Sequence, residues 1–371
     1  MKYSVMIIFL VVFLALITGA IIYLSNRFAL FFPAIPKRSW LWGFSILLVA
    51  TFASAMIFTT TTNPAGRYFS IFAGIVCSIL IFLLLSVAIT DLLSLLFKFS
   101  PQIRRDVSLG LTLLLTIYGV WNAYSIKVKE VTIPIKGLTK EIRAIHLTDV
   151  HLGNLRGEKT VERIVQKINK LNPDVVFNTG DMFDGKTHFS SKNDVLSAFR
   201  TMEVPHYFVY GNHDEHVGVS EVIMRMKNAN INVLLNEIAY FGELQIIGLN
   251  NMLPDNTTFD PHTTDTSQTI EKALNKFIIK DMPTIVLHHR PDGVKYMQEK
   301  GVDLLLTGHT HAGQIFPFTL IAKLMFGYNR GLYKYEDMTI YVSQGIGTIF
   351  APVRLGTRSE MTLIKLVPEN N

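Results

Sequence analysis

Five short polar elements each fall where a run of strand-forming residues stops: Asp149-Val150-His151, Gly180-Asp181-Met182-Phe183-Asp184, Gly211-Asn212-His213-Asp214, His289-Arg290-Pro291 and Gly308-His309-Thr310-His311. Together they use five of the chain's eleven histidines. Carboxylate oxygen, amide oxygen and imidazole nitrogen are donors that suit borderline to hard divalent metals such as manganese, iron or zinc. No thiol stands among them, which argues against a structural zinc site. Taken singly each element has a bland reading. Asp-x-His occurs on many surfaces, and Gly-Asp after a strand is an ordinary turn. Gly-Asn-His-Asp can be a turn with Asn in the left-handed region. Gly-His-x-His is more specific, because alternate strand residues point the same way and bind metals jointly. All five in one chain at strand ends describe a single polar crevice. Two metals held there, ~3.5–4 Å apart, would clamp the attacking and leaving oxygens of an in-line displacement and lower a water's pKa to ~7. The expected chemistry is hydroxide attack on a phosphate ester. A Walker-type glycine-rich loop is missing, so nucleotide-driven transport is not indicated.

The elements that must position these residues follow an alternating rhythm. Ile142–Leu147 reads as a buried strand and Glu158–Leu171 as a helix, with Val161, Ile164, Val165, Ile168 and Leu171 at helical spacing. Val175–Asn178 is the next strand, followed by a helix near Lys192–Met202 and a strand at His206–Val209. Further strands are expected at Gln245–Leu249, Thr284–Leu287, Asp303–Leu306, Thr339–Val342 and Met361–Leu366. Strands outnumber helices towards the end, so sheets packed together and flanked by helices are expected. Asn250–Thr269 is polar and rich in Thr and Asp, a long loop near the site or a rim to it. The catalytic domain is placed at 141–371, after a linker at 126–140.

Residues 1–125 are of a different kind. They hold eight basic side chains and two acids, while the other 246 residues hold 27 of each, so the whole net charge of +6 sits in the first third. A neutral soluble part argues against nucleic acid as a partner. Four apolar runs, approximately Val5–Tyr23, Trp40–Phe58, Phe69–Thr90 and Val107–Ser125, each reach the roughly 20 residues that cross a bilayer. Trp40, Trp42, Trp121 and Tyr124 fit an interfacial aromatic belt. The first run is longer than a signal-peptide core and is expected to be retained. Loops 24–39 and 91–106 carry six basic residues against Lys2, Arg67, Lys127 and Lys129 on the other side. The positive-inside rule then puts the catalytic domain outside the cytoplasm. Cys77, the single cysteine, lies in an apolar run and excludes an intramolecular disulfide.

The order and spacing of the five motifs resembles the calcineurin-like metallophosphoesterase superfamily over roughly Ile142 to Leu366. Four spans, then His-x-Pro, Gly308-His309-Thr310-His311-Ala312-Gly313-Gln314 and a late Gly345-Ile346-Gly347, look most like its bacterial membrane-associated branch. The resemblance implies a multi-pass α-helical membrane module followed by a four-layer αββα sandwich. It implies two divalent metal ions, manganese foremost with iron or zinc as alternatives. Asp149, His151 and His311 would hold the first, Asn212, His289 and His309 the second, and Asp181 would bridge them. His289 is preferred to His288 on the family's His-x-Pro pattern. His213 would serve as proton donor or phosphate ligand, oriented by Asp184, while Asp214 is left as structural.

Arg290, Arg330 and Arg354 are read as surface arginines, with phosphate contact as the alternative. His146, His188, His206, His216 and His262 carry no motif. The expected function is hydrolysis of a phosphomonoester, phosphodiester or pyrophosphate at the membrane, on a substrate that the anchor favours being lipid-linked. The competing class is a catalytically silent membrane scaffold or binding protein with a metal site, which would purify metal-free.

Overall fold

Two sheets of six strands carry residues 127–369, and alternation along each strand explains why they stack. In the computed structural model, residues 2–58, 64–185, 194–252, 264 and 267–369 are described. The first sheet has the order β1 (Lys127–Ile135), β12 (Glu360–Pro368), β2 (Ile142–Leu147), β3 (Val175–Asn178), β4 (His206–Phe208), β5 (Asn232–Val233). The second has β10 (Gly331–Tyr335), β11 (Met338–Val342), β9 (Leu304–Thr307), β8 (Thr284–Leu287), β7 (Leu244–Gly248), β6 (Glu237–Phe241). Ile142 and Ala144 of β2, Val175 and Phe177 of β3, Ile285 and Leu287 of β8, and Leu304 and Leu306 of β9 meet in one cluster between the sheets. Their neighbours face the other way, as a period of two requires. Ile145, Leu147 and Val176 join Ile164 and Ile168 of α5 (Glu158–Leu171) and Val222 and Met226 of α6 (Asn212–Asn228). Val286 and Leu305 join Ile270 and Leu274 of α7 (Ile270–Leu274) and Met297 of α8 (Val294–Glu299). Helix, sheet, sheet, helix is the four-layer arrangement expected.

Strands β2, β3, β4 and β5 run parallel, as do β7, β8, β9 and β11. Their carboxyl ends therefore gather at one edge of the sandwich. Ile142–Leu147, Glu158–Leu171 and Val175–Asn178 fall where the sequence places them. The segment 126–140 is no linker: β1 lies in it and pairs in parallel with β12 from Lys127↔Glu360 to Ile135↔Pro368. Its pattern of Lys, Glu and Thr between apolar residues is that of an edge strand with one wet face. The helix expected near Lys192–Met202 is a short 3₁₀ turn, Ser197–Thr201, with residues 186–193 outside the described ones. Most of the expected loop Asn250–Thr269 lies outside them too, as do His188 and His262.

The first third is helical: α1 (Lys2–Phe31), α2 (Lys37–Phe58), α3 (Pro64–Phe97) and α4 (Pro101–Tyr124). Among the described residues three stretches, Val11–Phe31, Gly66–Phe97 and Pro101–Tyr124, are long and apolar enough to cross a membrane. The span expected at Trp40–Phe58, on α2, is not among them. Leu24, Phe28, Phe44, Leu83 and Val87 form the core of the bundle. At one end Asp91 takes Arg27 at 2.6 Å, Arg104 at 3.4 Å and a 2.6 Å hydrogen bond from the Tyr23 hydroxyl.

At the other end the sandwich reaches into the bundle. Ile315, Ala351 and Val353 share an apolar cluster with Phe82 of α3. A Cβ on Gly74 of α3 would sit 2.5 Å from the Phe350 carbonyl oxygen, so only glycine admits that approach. The backbone of Arg354 is clamped from both sides by α4: its N–H donates to Gly119 O at 3.0 Å, and its carbonyl accepts from Asn122 Nδ2 at 3.0 Å. Asn122 Nδ2 also donates to Thr357 O at 2.7 Å.

Candidate metal centre

Every element of the crevice hangs from a strand end. Asp149 and His151 follow β2, Asp181 and Asp184 follow β3, Asn212 and His213 open α6 after β4, His289 follows β8, and His309 and His311 follow β9. The backbone pays for this convergence. Asp149, His151, Asp181, His309 and His311 all hold φ between 47° and 70°, a left-handed region that non-glycine residues seldom enter and that costs of order 1–3 kcal/mol each. Gly308 is required beside them, because a Cβ there would fall 2.2 Å from Asp149 Oδ2.

The side chains form two connected groups. In one, His311 Nε2 is 3.3 Å from Asp149 Oδ1 and 3.0 Å from His151 Nε2. In the other, His289 Nε2 is 3.1 Å from Asp181 Oδ2 and 3.3 Å from His309 Nδ1. The groups touch: His151 Nε2 lies 3.9 Å from Asp181 Oδ2, and His289 Nε2 lies 4.0 Å from Asp149 Oδ1. Asp149-His151-His311 and Asp181-His289-His309 each bring their ligand atoms within 4.8 Å of one another.

Backbone donors fix the carboxylates. Asp149 accepts from the His309 N–H at 3.1–3.2 Å and from Thr148 Oγ1 at 2.8 Å. Asp181 Oδ1 accepts from the His213 N–H at 2.9 Å, at the positive end of α6. The other ring nitrogen of His289 is 2.7 Å from Thr179 O, the contact that fixes the orientation of an imidazole ligand. His288 faces away, with Nε2 3.0 Å from Asp292 Oδ1.

A third group stands at the rim. His213 Nδ1 is 2.7 Å from Asp184 Oδ1, and His151 Nδ1 is 3.6 Å from the same oxygen. The side chains of His213 and Asp184 are 24% and 29% exposed, whereas those of Asp149, His151, Asp181, His289 and His311 are at most 2% exposed. His213 is thus the most exposed imidazole of the crevice, ahead of His309 at 7%. Burial alone lowers its pKa, but the Asp181 charge and the Asp184 hydrogen bond outweigh burial and push it up to about 10. Burial raises the Asp184 carboxyl, yet hydrogen bonds from His151 and His213 hold it well below the usual carboxylate range. Burial, then the charges of His151 and Arg354, keep His311 well below the ordinary histidine range, in the neutral form that binds metals.

The donor set fits a pair of divalent cations. Asp149 and Asp181 are buried carboxylates facing each other across imidazoles, and buried charge is costly unless it is paired or binds metal. Asn212 Oδ1 is buried with no hydrogen-bond partner, an orphan acceptor at the same edge.

Other residues have roles the motifs do not announce. Asp214 accepts from the N–H groups of Met182, Phe183 and Gly211, at 3.2, 2.9 and 3.1 Å, and so ties the Asp181 loop to the Asn212 loop. Arg354 is no surface residue. It is fully buried, its Nη2 donates at 2.7 Å to Gln344 O and to Gly347 O, and it lies 3.2 Å from His311 Nδ1. Arg290 is buried against Asp292, with Nη2 at 2.9 Å, while Arg330 is exposed and donates to Gly356 O. His146 and His206 are core residues that burial depresses to about 3, and His216 is exposed.

Comparison with known proteins gives the family. Residues 142–313 match the calcineurin-like phosphoesterase family model. The chain is 31% identical over 354 residues to an uncharacterized metallophosphoesterase of Helicobacter pylori, covering 91% of both chains. It is also 31% identical over 363 residues to a transmembrane protein with metallophosphoesterase domain of Danio rerio, covering 90% of this chain and 82% of that one. Among solved structures, Haemophilus influenzae NAD nucleotidase is similar with a TM-score of 0.36 and 18% identity, over 57% of this chain and 46% of that one. With nearly its whole length aligned to such a relative, and with these donors at its strand ends, the chain belongs to the calcineurin-like metallophosphoesterases.

Proposed function

We propose that the protein is a membrane-anchored phosphoesterase that uses two divalent metals, manganese first, with its catalytic domain outside the cytoplasm. The observation that carries this is the pair of buried Asp/His groups within reach of each other, with the unpartnered Asn212 Oδ1 beside them. Asp149, His151 and His311 would hold one ion, Asn212, His289 and His309 the other, and Asp181 would lie between them. Bound there, the metals supply Lewis acidity and a water that ionises near neutral pH. The chain's own residues do the rest. The His213 N–H and the start of α6 keep Asp181 aimed at the crevice. Asp184 fixes the Nδ1 side of His213, leaving Nε2 to hand a proton to the leaving oxygen. Burial of the donor residues keeps bulk water out of the crevice.

The apolar helices support the anchor, with α2 as a fourth span, and six basic residues in loops 24–39 and 91–106 support the orientation. Tethering favours an ester carried by a lipid, whether monoester, diester or pyrophosphate. The test is metal content together with hydrolysis of p-nitrophenyl phosphate and bis-p-nitrophenyl phosphate by wild type, Asp181→Asn and His213→Ala. Two metals in the wild type, turnover lost in both variants and metal kept in His213→Ala is the expected result. A protein that purifies metal-free and stays inactive with added manganese would overturn it in favour of a scaffold.

A further inference from the structure

Helix α9, Phe318–Met325, is built inside out. Ala322 is its buried residue, while Phe318, Leu320, Ile321 and Leu324 are exposed, Leu324 at 88%. Among the described residues after 125, ten large hydrophobic side chains are exposed, and five of them fall between Phe316 and Leu324. Soluble surfaces scatter such residues singly, and a cluster marks a contact.

The position of α9 says what covers it. Two residues before the helix, Phe316 donates its N–H to Leu355 O at 2.8 Å, and Ile315 packs with Phe82 of α3, Ala351 and Val353. Phe82 belongs to the stretch Gly66–Phe97 that is long and apolar enough to cross a membrane. The helix therefore leaves from the flank of the apolar bundle. It ends at the metal centre, where the ring of Phe326 meets that of His309 edge-on at 5.8 Å. Lys323 is exposed on the same helix, placed to reach lipid phosphate while its stem stays in apolar surroundings.

We propose that α9 is an interfacial membrane helix. Its apolar side chains enter the bilayer surface beside α3 and α4, and the crevice opens at headgroup level. The phosphoester it takes is then that of a lipid whose acyl chains lie along α9. This substrate class rests on the phosphoesterase reading; the depth of the helix does not.

The test separates the two. The full chain, with Cys77→Ser and a nitroxide at Leu324→Cys, is reconstituted in vesicles of phosphatidylethanolamine and phosphatidylglycerol. Collisions with oxygen and with a water-soluble nickel chelate are compared with those of a label at Lys295→Cys on α8. The Leu324 label should favour oxygen and the Lys295 label the chelate. A Leu324 label that matches Lys295, or one shielded from both probes by a protein partner or a second copy, overturns the proposal. In a second arm, Leu320→Ser/Leu324→Ser should keep its metals and its hydrolysis of bis-p-nitrophenyl phosphate, and lose about tenfold on a diacylglycerol phosphoester in the same vesicles, a modest share of what burying two leucines gives. Equal loss on both esters would make α9 part of the catalytic frame and overturn the lipid contact. Hydrolysis of neither ester by wild type, with the Leu324 label still in lipid, would overturn the enzymatic reading and leave the docking intact.

Discussion

The two halves of the crevice are braced from different places. Around His289 and Asp181 the supports are local to the sandwich: Thr179 O, the α6 N-terminus and the Asp214 ties all belong to the parallel strand ends. Around His311 the support is Arg354, whose guanidinium folds 344–347 beside Asp149 and whose backbone is held by Gly119 and Asn122 of α4. One half is made by the α/β fold alone, and the other borrows its rigidity from the apolar bundle. The helices then do more than the anchoring proposed for them, because they help to set the geometry of one group of ligands.

Substitutions can break this comparison or sharpen it. Asp181→Asn should have the largest effect, since Asp181 lies within reach of both groups: metal analysis should find both ions depleted and turnover at background. His213→Ala should leave both halves loaded and lower kcat by ~10²–10⁴-fold, the usual worth of a positioned general acid. Arg354→Met strips a buried charge from several carbonyls and should cost ~3–5 kcal/mol of stability in thermal unfolding. Metal titration of the folded fraction should show one ion weakened more than the other. If both ions weaken alike, the two halves are not separately braced. Asn122→Ala, which removes two hydrogen bonds to the Arg354 segment, should be milder, ~1–3 kcal/mol, with the same one-sided loss of metal. An Asn122 variant with unchanged stability and metal binding would mean that the bundle lends the site nothing.

The local half was legible in the sequence and the borrowed half was not. Ile142–Leu147 and Val175–Asn178 are uninterrupted apolar runs ended by motif residues, so strand and ligand could be read together. The opening of α6 at Gly211-Asn212-His213-Asp214 reads as a turn because glycine and asparagine punctuate it; Asp214, accepting from the N–H of the N-cap Gly211, makes it a helix start. Strands β1, β6 and β10 escaped because their half-exposed edges mix charge with apolar residues. Arg354 and Asn122 lie 232 positions apart, and no periodicity links residues that meet only in three dimensions. An isolated arginine is by default a surface residue, and what buries this one is a ring of carbonyl oxygens that leaves no trace in composition.

The place of β12 between β1 and β2 has a consequence for biosynthesis. β1 leaves the ribosome directly after α4, yet its partner begins at Glu360, more than two hundred residues later. Until translation passes that point β1 and β2 have no shared neighbour, and a strand lying next to the last apolar helix waits with its edge open. Such non-local pairing is slow to close, and an open edge invites pairing with other chains. A nascent chain stalled before Glu360 is therefore expected to hold β2, β3 and β4 without the seam that joins them to β1, a species that quality-control proteases would meet first.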